Sequence, residues 1–140
     1  MKKKLYALVT IAALSLLFSC SKSDPAPTKT DLVTRAGGWA FTSKKLDATE
    51  LIAACDVDDL IIFSKNKTLT ITYGSILCSL DQVTETGSWD IYGTNESLLN
   101  INKTGGNIDY NILELTSTAL KISYLDPGTG KTSTFTFVGK

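Results

Sequence analysis

Histidine is absent from this 140-residue chain, and Arg35 is its single arginine. Without histidine, the chain lacks the commonest general base and the commonest metal-ligating side chain of proteins. Fourteen basic residues are balanced by fourteen acidic ones, so no basic patch is available to hold the phosphates of DNA or RNA. No glycine-rich phosphate loop is present either, and no serine, lysine or carboxylate is paired by spacing for catalysis. The sequence therefore predicts a protein that is not an enzyme, uses no cofactor or metal ion, and binds no nucleic acid.

Long apolar runs are also scarce, since the only one extends from Leu5 to Phe18. It is shorter than the ~20 residues that a membrane-spanning helix needs, and it follows three lysines, as does the apolar region of a secretory signal. The run ends in Leu17-Phe18-Ser19-Cys20, which resembles the lipobox of bacterial lipoproteins. That resemblance implies a signal peptide over residues 1–19 and a Cys20 that carries a diacylglycerol thioether and an amide-linked acyl chain such as palmitate. An ordinary secretory signal with an incidental cysteine is the alternative.

The residues after Cys20 bear on the location and the charge of the mature chain. Two or three acyl chains anchor a protein stably, whereas one binds only marginally. Ser21 stands where an aspartate would indicate inner-membrane retention of a lipoprotein, so the resemblance implies the outer membrane, on its periplasmic or its surface face. Cleavage would leave eleven basic against fourteen acidic residues, a net charge of −3. Residues 20–35 are predicted to form a flexible tether that ends in a short helical turn capped by Thr30 or Asp31.

Two cysteines remain after the predicted cleavage, Cys55 and Cys78. An even number in an exported protein predicts a disulfide, which would close a loop of about two dozen residues and contribute roughly 3 kcal/mol. Two unpaired buried thiols are the alternative, and a metal pair is disfavoured because no further soft ligand completes a site. The acidic run Asp56-Val57-Asp58-Asp59 fails as a calcium loop, since Ile61 occupies the position that requires glycine. This run is interpreted as a solvated acidic turn.

The remainder of the chain, residues 36–140, is predicted to fold as a single all-β domain of about eight short strands. Alternation with a period of two starts at Trp39 and recurs in segments separated by turn residues. A strand is predicted over Asp59–Phe63, and a helical or looped connection over Asp47–Ala54. No connection after Tyr73 is long enough for a parallel crossover. The strands should therefore form an antiparallel up-and-down barrel, whose closure removes both exposed edges, with a β-sandwich as the alternative.

Several short motifs occur in an order that resembles the lipocalin-like lipoproteins of Gram-negative bacteria. They span about Asp31 to Val138 and comprise Gly37-Gly38-Trp39, like the Gly-x-Trp of lipocalins, Cys55 before a strand, Cys78 after the next one, Thr86-Gly87-Ser88-Trp89, and Tyr110–Leu115 leading to Leu120-Lys121-Ile122. The resemblance implies a lipocalin-like barrel for residues 36–140. Lipocalins also place an arginine, late in the chain, against the first-strand tryptophan. This chain has no arginine there, and Arg35 is the residue that can take its place.

The inward-facing residues of the predicted barrel include nine aromatic side chains. An eight-stranded barrel has an interior just wide enough either to be filled by side chains or to hold one small ligand. As a binding site, these side chains would line a pocket for a small hydrophobic molecule; in the alternative they simply fill the core. They are Trp39, Phe41, Phe63, Tyr73, Trp89, Tyr110, Tyr124, Phe135 and Phe137.

Two functions are compatible with these predictions. In the first, the protein is a lipid-anchored binding protein of the cell envelope that carries a small hydrophobic ligand inside the barrel. In the second, the barrel is filled, and the loops joined by Cys55 and Cys78 dock another envelope protein, as small envelope lipoproteins that inhibit lysozymes do. An interior cavity of a few hundred Å³ would favour the first function.

The predicted anchor can be tested on the mature protein. Mass spectrometry of the amino-terminal peptide should show Cys20 as the first residue, carrying acyl chains, because a lipobox directs cleavage before this cysteine and its acylation. A Cys20→Ser variant should lack the acyl chains and leave the membrane fraction, whereas a variant with both Cys55→Ser and Cys78→Ser should keep them. A mature wild-type protein without fatty acid on its amino terminus would contradict the prediction.

Overall fold

The computed structural model of the chain describes residues 25–80 and 82–140. The predicted signal peptide and the predicted acylation site at Cys20 therefore lie outside the described residues. Within the part of the chain that is described, no helix is both long and apolar enough to cross a membrane.

The described residues form one short helix and nine antiparallel strands. The helix α1 is Lys29–Val33, and a 3₁₀ turn occupies Thr94–Glu96. The strands are β1 (Trp39–Leu46), β2 (Thr49–Glu50), β3 (Leu60–Phe63), β4 (Thr68–Thr72), β5 (Glu85–Tyr92), β6 (Leu98–Lys103), β7 (Gly106–Leu115), β8 (Ala119–Leu125) and β9 (Thr132–Gly139). From β3 onwards each strand pairs with the next along the chain, and β9 pairs with β1. Eight strands, β1 and β3–β9, thus close a barrel, and β2 is an extra strand in a hairpin with the end of β1.

This closed meander confirms the predicted all-β, antiparallel up-and-down barrel and excludes the sandwich. The strand that closes it, β1, is paired unequally with its two neighbours. It forms seven residue pairs with β9 but only two with β3, at Trp39 and Ala40. A register shift between Phe41 and Ser43 follows, and such a bulge bends a strand. The β1–β3 ladder therefore stops early, and the barrel is less closed on that side.

The connections alternate between the two ends of the barrel because the strands run up and down. One end, here called the closed end, holds α1 and the β3–β4, β5–β6 and β7–β8 connections. The other, the open end, holds the long loops 47–59 and 73–84 together with the β6–β7 and β8–β9 turns. The longest loops of the domain thus lie where the β1–β3 ladder has stopped.

The helix α1 begins with a capping box. The hydroxyl of its N-cap residue, Thr28, accepts a hydrogen bond from the Asp31 N–H at 3.1 Å, and the Asp31 carboxylate accepts one from the Thr28 N–H at 3.2 Å. This reciprocal pair satisfies two N–H groups that the first turn would otherwise leave unpaired. The predicted cap at Thr30 or Asp31 is wrong, because Thr28 starts the helix earlier and Asp31 serves as its partner inside the first turn.

Trp39 joins α1 to the barrel. Its indole Nε1–H donates to the carbonyl oxygen of the buried Val33 at 2.8 Å, and the Arg35 guanidinium carbon lies 5.4 Å from the centroid of its ring, a cation–π distance. The expectation that Arg35 takes the place of the late lipocalin arginine is confirmed. Between these residues, Gly37 and Gly38 adopt φ values of +88° and +72°, which favour glycine and turn the chain from α1 into β1.

The interior is packed solidly near the closed end. Trp39, Phe63 and Trp89 are all buried there, and the rings of Phe63 and Trp89 meet edge to face with centroids 5.6 Å apart. The indole N–H of Trp89 donates to the Ser64 carbonyl at 3.0 Å. Each buried tryptophan thus places a large apolar ring in the core while its polar atom is satisfied.

Two segments differ in part from the sequence-based predictions. For Asp47–Ala54 the looped alternative is correct and the helical one is wrong, and the loop also contains the two-residue strand β2; Asp47 turns the chain at its start with a positive φ of 53°. The strand predicted over Asp59–Phe63 is one residue shorter, since β3 begins at Leu60. Asp59 nevertheless stays in phase with Ile61 and Phe63, the inward-facing residues of β3, and is buried like them.

The Trp39–Val33 hydrogen bond yields a stability prediction. A Trp39→Phe substitution leaves the buried Val33 carbonyl without a donor, so the free energy of unfolding should fall by about 1–3 kcal/mol, with a further loss from the smaller ring. Urea denaturation would measure it. Tyr124→Phe, which removes a hydroxyl from a ring elsewhere in the barrel, should change stability by less than about 0.5 kcal/mol. Equal unfolding free energies for wild type and Trp39→Phe would contradict the proposed role of this contact.

Candidate functional site

The half of the barrel nearer the open end contains a cavity of about 380 Å³. This volume lies within the range of about 300–1,000 Å³ that small-molecule sites occupy. Its floor is the packed core of the closed end, and its walls come from seven strands and both long loops. The lining residues are Phe41, Lys44, Asp56, Asp59, Ile61, Leu69, Ile71, Tyr73, Gln82, Ile101, Lys103, Tyr110, Ile122, Phe135 and Phe137.

The nine aromatic residues predicted for the interior divide into groups. Five of them line the cavity: Phe41, Tyr73, Tyr110, Phe135 and Phe137. Three others fill the closed end, as described above, and the ninth, Tyr124, contacts the ring of Tyr110 at 5.7 Å between centroids without lining the cavity. The barrel is therefore filled in one half and hollow in the other, so that each of the two sequence-based alternatives describes one half of it.

Aromatic rings form a continuous wall on one side of the cavity. The ring of Phe41 lies 4.5 Å from that of Phe137 and 6.3 Å from that of Phe135, and Phe135 meets Tyr110 edge to face at 5.9 Å. Burial raises the pKa of the Tyr110 hydroxyl, with the nearby Tyr124 as a smaller cause. This hydroxyl is thus neutral at ordinary pH, and the wall presents ring faces and edges without charge.

Glu85 on β5 forms hydrogen bonds to two polar lining residues, one on each side of its strand. They are Tyr73, which directly follows β4, and Lys103 on β6. The Glu85 carboxylate accepts a hydrogen bond from the Tyr73 hydroxyl at 2.5 Å and another from the Lys103 ammonium at 2.6 Å. Burial, followed by the hydrogen bond to Glu85, raises the pKa of Tyr73 to about 12. The Lys103 hydrogen bond, followed by that from Tyr73, lowers the pKa of Glu85. Both lining residues are therefore committed to this carboxylate, and the Lys103 charge is neutralised by it.

Lys44 and Asp56 form a second charged pair at the open end. The Lys44 ammonium lies 3.9 Å from the Asp56 carboxylate, which also accepts a hydrogen bond from the Ala53 N–H at 2.8 Å. Each of the two lysines that line the cavity, Lys44 and Lys103, thus has a carboxylate partner.

Asp59 differs from the other acidic residues of its run because it is buried. It is only 5% exposed, lines the cavity, and accepts a hydrogen bond from the Gly74 N–H at 3.1 Å. Burial raises the pKa of its carboxyl, and the charges of Asp58 and Asp56 add to the effect, whereas the Gly74 hydrogen bond and the Lys44 charge oppose it. The interpretation of this run as a solvated turn is wrong for Asp59. Its spacing of two and four residues from Ile61 and Phe63, both inward-facing, is the pattern that could have identified it.

A disulfide between Cys55 and Cys78 joins the two long loops, with 5.2 Å between the Cα atoms. The predicted pairing is confirmed. These loops contribute Asp56, Asp59 and Gln82 to the cavity lining, so the disulfide fixes one side of the cavity mouth.

The same two loops also carry large apolar side chains that face solvent. The most exposed of them, Leu80, is 95% accessible. These rim residues are Leu51, Val57, Ile76, Leu77, Leu80 and Val83. Exposed apolar residues grouped around a cavity mouth are typical of an interaction surface.

The acidic side chains of the described residues are too dispersed to form a metal site. Within residues 25–80 and 82–140, no group of three or more histidine, cysteine, aspartate or glutamate side chains is arranged to hold a metal ion. The carboxyl groups at the cavity mouth are engaged instead by N–H groups and ammonium groups of the protein.

A family model described as a lipocalin-like domain matches residues 36–122. The matched segment runs from the turn before β1 into β8 and includes most of the cavity wall. Phe135 and Phe137, which complete the aromatic wall on β9, follow it in the chain. No curated protein and no solved structure matches this chain.

Asp59 and Glu85 should affect the pH dependence of stability in opposite directions. The folded-state pKa of Asp59 is raised above its ordinary value of 3.8, so its contribution to stability decreases as pH rises from about 4 through the raised pKa. Glu85, whose pKa is lowered from 4.5, contributes stability above that pH and loses it as pH falls through the folded-state value. Relative to wild type, Asp59→Asn should therefore gain stability with rising pH, whereas Glu85→Gln should lose it.

Urea denaturation between about pH 3.5 and 7.5 would measure both trends. Each substitution is the matched control for the other, because both remove a single carboxyl group at the cavity mouth. Two difference curves with the same slope would contradict the assigned environments of the two carboxyl groups.

Proposed function

Since the chain belongs to the family of lipocalin-like domains, we propose that its barrel binds and carries a small, largely apolar molecule. This family is typically a binding fold without enzymatic activity. The observation that supports ligand binding is the cavity of about 380 Å³, which lies in the half of the barrel that side chains do not fill. We further propose that the protein does this in the cell envelope, anchored to the outer membrane through acyl chains on Cys20.

The two faces of the cavity suit an apolar ligand. One face is the aromatic wall of Phe41, Phe135, Phe137 and Tyr110, and the opposite strands contribute isoleucines such as Ile71 and Ile101. Transfer of apolar surface from water to such walls is favourable by roughly 25 cal/mol per Å². Polar side chains are concentrated at the mouth, where they can orient one end of the ligand.

The path of the chain indicates how an anchored domain would present its cavity. The described chain enters the barrel at the closed end, where Thr28 caps α1 and the Lys29 ammonium bonds the carbonyls of Asn95 and Glu96, both at 2.8 Å. Seven residues lie between Cys20 and Thr28, and the eight steps of ~3.3 Å that they allow would hold the acylated cysteine within ~26 Å of Thr28. The anchor therefore attaches at the end opposite the cavity mouth, which leaves the mouth accessible from the aqueous side.

A second function is supported by the rim residues. Six large apolar side chains are exposed on the two loops that the Cys55–Cys78 disulfide holds together. Such a surface fits a protein partner that docks on the open end, as in the alternative derived from the sequence. This function does not require an occupied cavity, and that difference allows the two to be distinguished.

Native mass spectrometry of the mature wild-type protein, purified from the cell that makes it, should detect a bound small molecule. Ile101→Trp places a large ring in the cavity and should reduce the bound fraction at least about tenfold, a change of about 1.4 kcal/mol in binding free energy. The matched control is Leu113→Trp, at an exposed site on β7, which should keep the wild-type occupancy.

Three outcomes separate the candidate functions. A small ligand lost only in Ile101→Trp supports the carrier function. A mature protein with an empty cavity and a bound protein partner would exclude it and favour docking on the rim. Equal occupancy in the two tryptophan variants would show that any co-purifying molecule binds outside the cavity.

A further inference from the structure

The cavity carries a carboxyl group that lacks a cationic partner. Asp59 is the outermost residue of the inward-facing row that continues with Ile61 and Phe63 on β3. The register Leu60↔Thr72 of β3 and β4, extended by one residue, places Asp59 opposite Tyr73, which directly follows β4. Asp59 therefore lies at the level of the cavity mouth, on the wall and not on the outer surface.

The lysines near Asp59 in the described part of the chain form their ion pairs with other carboxylates, although the Lys44 charge still acts on the Asp59 carboxyl from a distance. Lys44 pairs with Asp56 at 3.9 Å, and Lys103 pairs with Glu85 at 2.6 Å. Asp58 accepts hydrogen bonds from the N–H groups of Ser75 and Ile76 through Oδ2, whereas its buried Oδ1 accepts none from the described residues. No ion pair joins Asp59 to any other described residue, and the one hydrogen bond that its carboxylate accepts from these residues comes from the Gly74 N–H.

A buried carboxylate without a counter-charge is unfavourable, so a ligand that supplies a cationic donor would gain a charge-assisted hydrogen bond there. A ligand carboxylate would instead meet Asp59 and Asp56 at the mouth and would have to displace a lysine from its present partner. A hydroxyl group could donate to Asp59 as well, but a neutral donor forms the weaker bond.

From this arrangement we propose that the carried molecule is an apolar amine, with its ammonium group held by the Asp59 carboxylate and its apolar body against the aromatic wall. The inference rests on the proposed carrier function and specifies the chemical class of the ligand. It distinguishes this cavity from one suited to fatty acids, whose carboxylate would require a cation that is free to pair with it.

Three probes with the same eight-carbon chain would test the proposal: octylamine, octan-1-ol and octanoate. Their dissociation constants for the mature protein would be measured by isothermal titration calorimetry at pH 7. Octylamine should bind about tenfold or more tightly than octanoate, with octan-1-ol between them. Asp59→Asn, which keeps an oxygen for the Gly74 N–H, should weaken octylamine about tenfold and leave octan-1-ol within about twofold.

The matched control is Glu114→Gln, which removes one carboxyl group from an exposed position on β7 outside the cavity. It makes the same change in net charge and should leave all three affinities at their wild-type values. Thermal denaturation would establish that each variant is folded. The ratio of octylamine to octanoate affinity in the wild type needs no variant and tests the proposal independently.

The outcomes distinguish failure of this inference from failure of the carrier function. If octan-1-ol binds while octanoate binds as tightly as octylamine, the cavity takes apolar molecules but the amine proposal is overturned. An unchanged octylamine-to-octanoate ratio in Asp59→Asn would likewise overturn the role of this carboxyl group. If none of the three probes binds, the carrier function fails and the inference fails with it.

Discussion

The pairing of β1 with β9 is the constraint on which the rest of the structure depends. It joins residues about 100 positions apart, such as Trp39 and Gly139, so its formation carries a larger loop-closure entropy cost than that of the local hairpins. The seam is reinforced at the closed end, where the Lys140 N–H donates to the Gly38 carbonyl at 3.1 Å and Arg35 covers the Trp39 ring. Without this seam, β1 would keep two residue pairs with β3, and both β1 and β9 would expose a strand edge.

The unequal pairing of β1 also explains why the barrel is hollow at one end. Near Trp39 the strand is paired on both sides, and the tryptophan and phenylalanine rings of the closed end fill the interior. Beyond Ala40 the ladder to β3 stops, and the inward-facing rings of Phe41, Phe135 and Phe137 line the cavity there instead of filling it. The disulfide-linked loops then define the mouth of that space.

Much of this architecture could be predicted from the sequence because it depends on local alternation. The period of two placed Leu69, Ile71 and Tyr73 on one face, and the short polar turns left antiparallel neighbours as the only economical arrangement. The cap of α1 was harder to predict because Thr28, Thr30 and Asp31 are all competent N-cap residues. The spacing of a capping box, Thr28 to Asp31, is what distinguishes them.

The cavity and the environment of Asp59 could not be predicted in the same way. Whether an aromatic row fills a barrel depends on how its rings pack against the opposite strands, and the alternation within a single strand does not show that. Asp59 follows three residues that look like a solvated acidic turn, and local composition outweighed its phase with Ile61. Its burial results from the loop 73–84, which folds over it and donates the Gly74 N–H.

A hollow half-barrel is a costly feature for a domain of this size. A chain of roughly 100 residues buries only about two thirds of the surface that it exposes when unfolded. An inward-facing apolar side chain that borders an open cavity is incompletely buried, so the domain loses part of the hydrophobic stabilisation that this side chain would otherwise contribute. The structure compensates by fixing the mouth: Glu85 connects Tyr73 at the end of β4 to Lys103 at the end of β6, and the disulfide connects the two loops. These contacts hold the cavity walls apart. A barrel with a filled core would not need them, because its side chains would support the walls from within. An apolar occupant would restore the burial that the empty walls lack, and this favours a function in which the cavity is occupied.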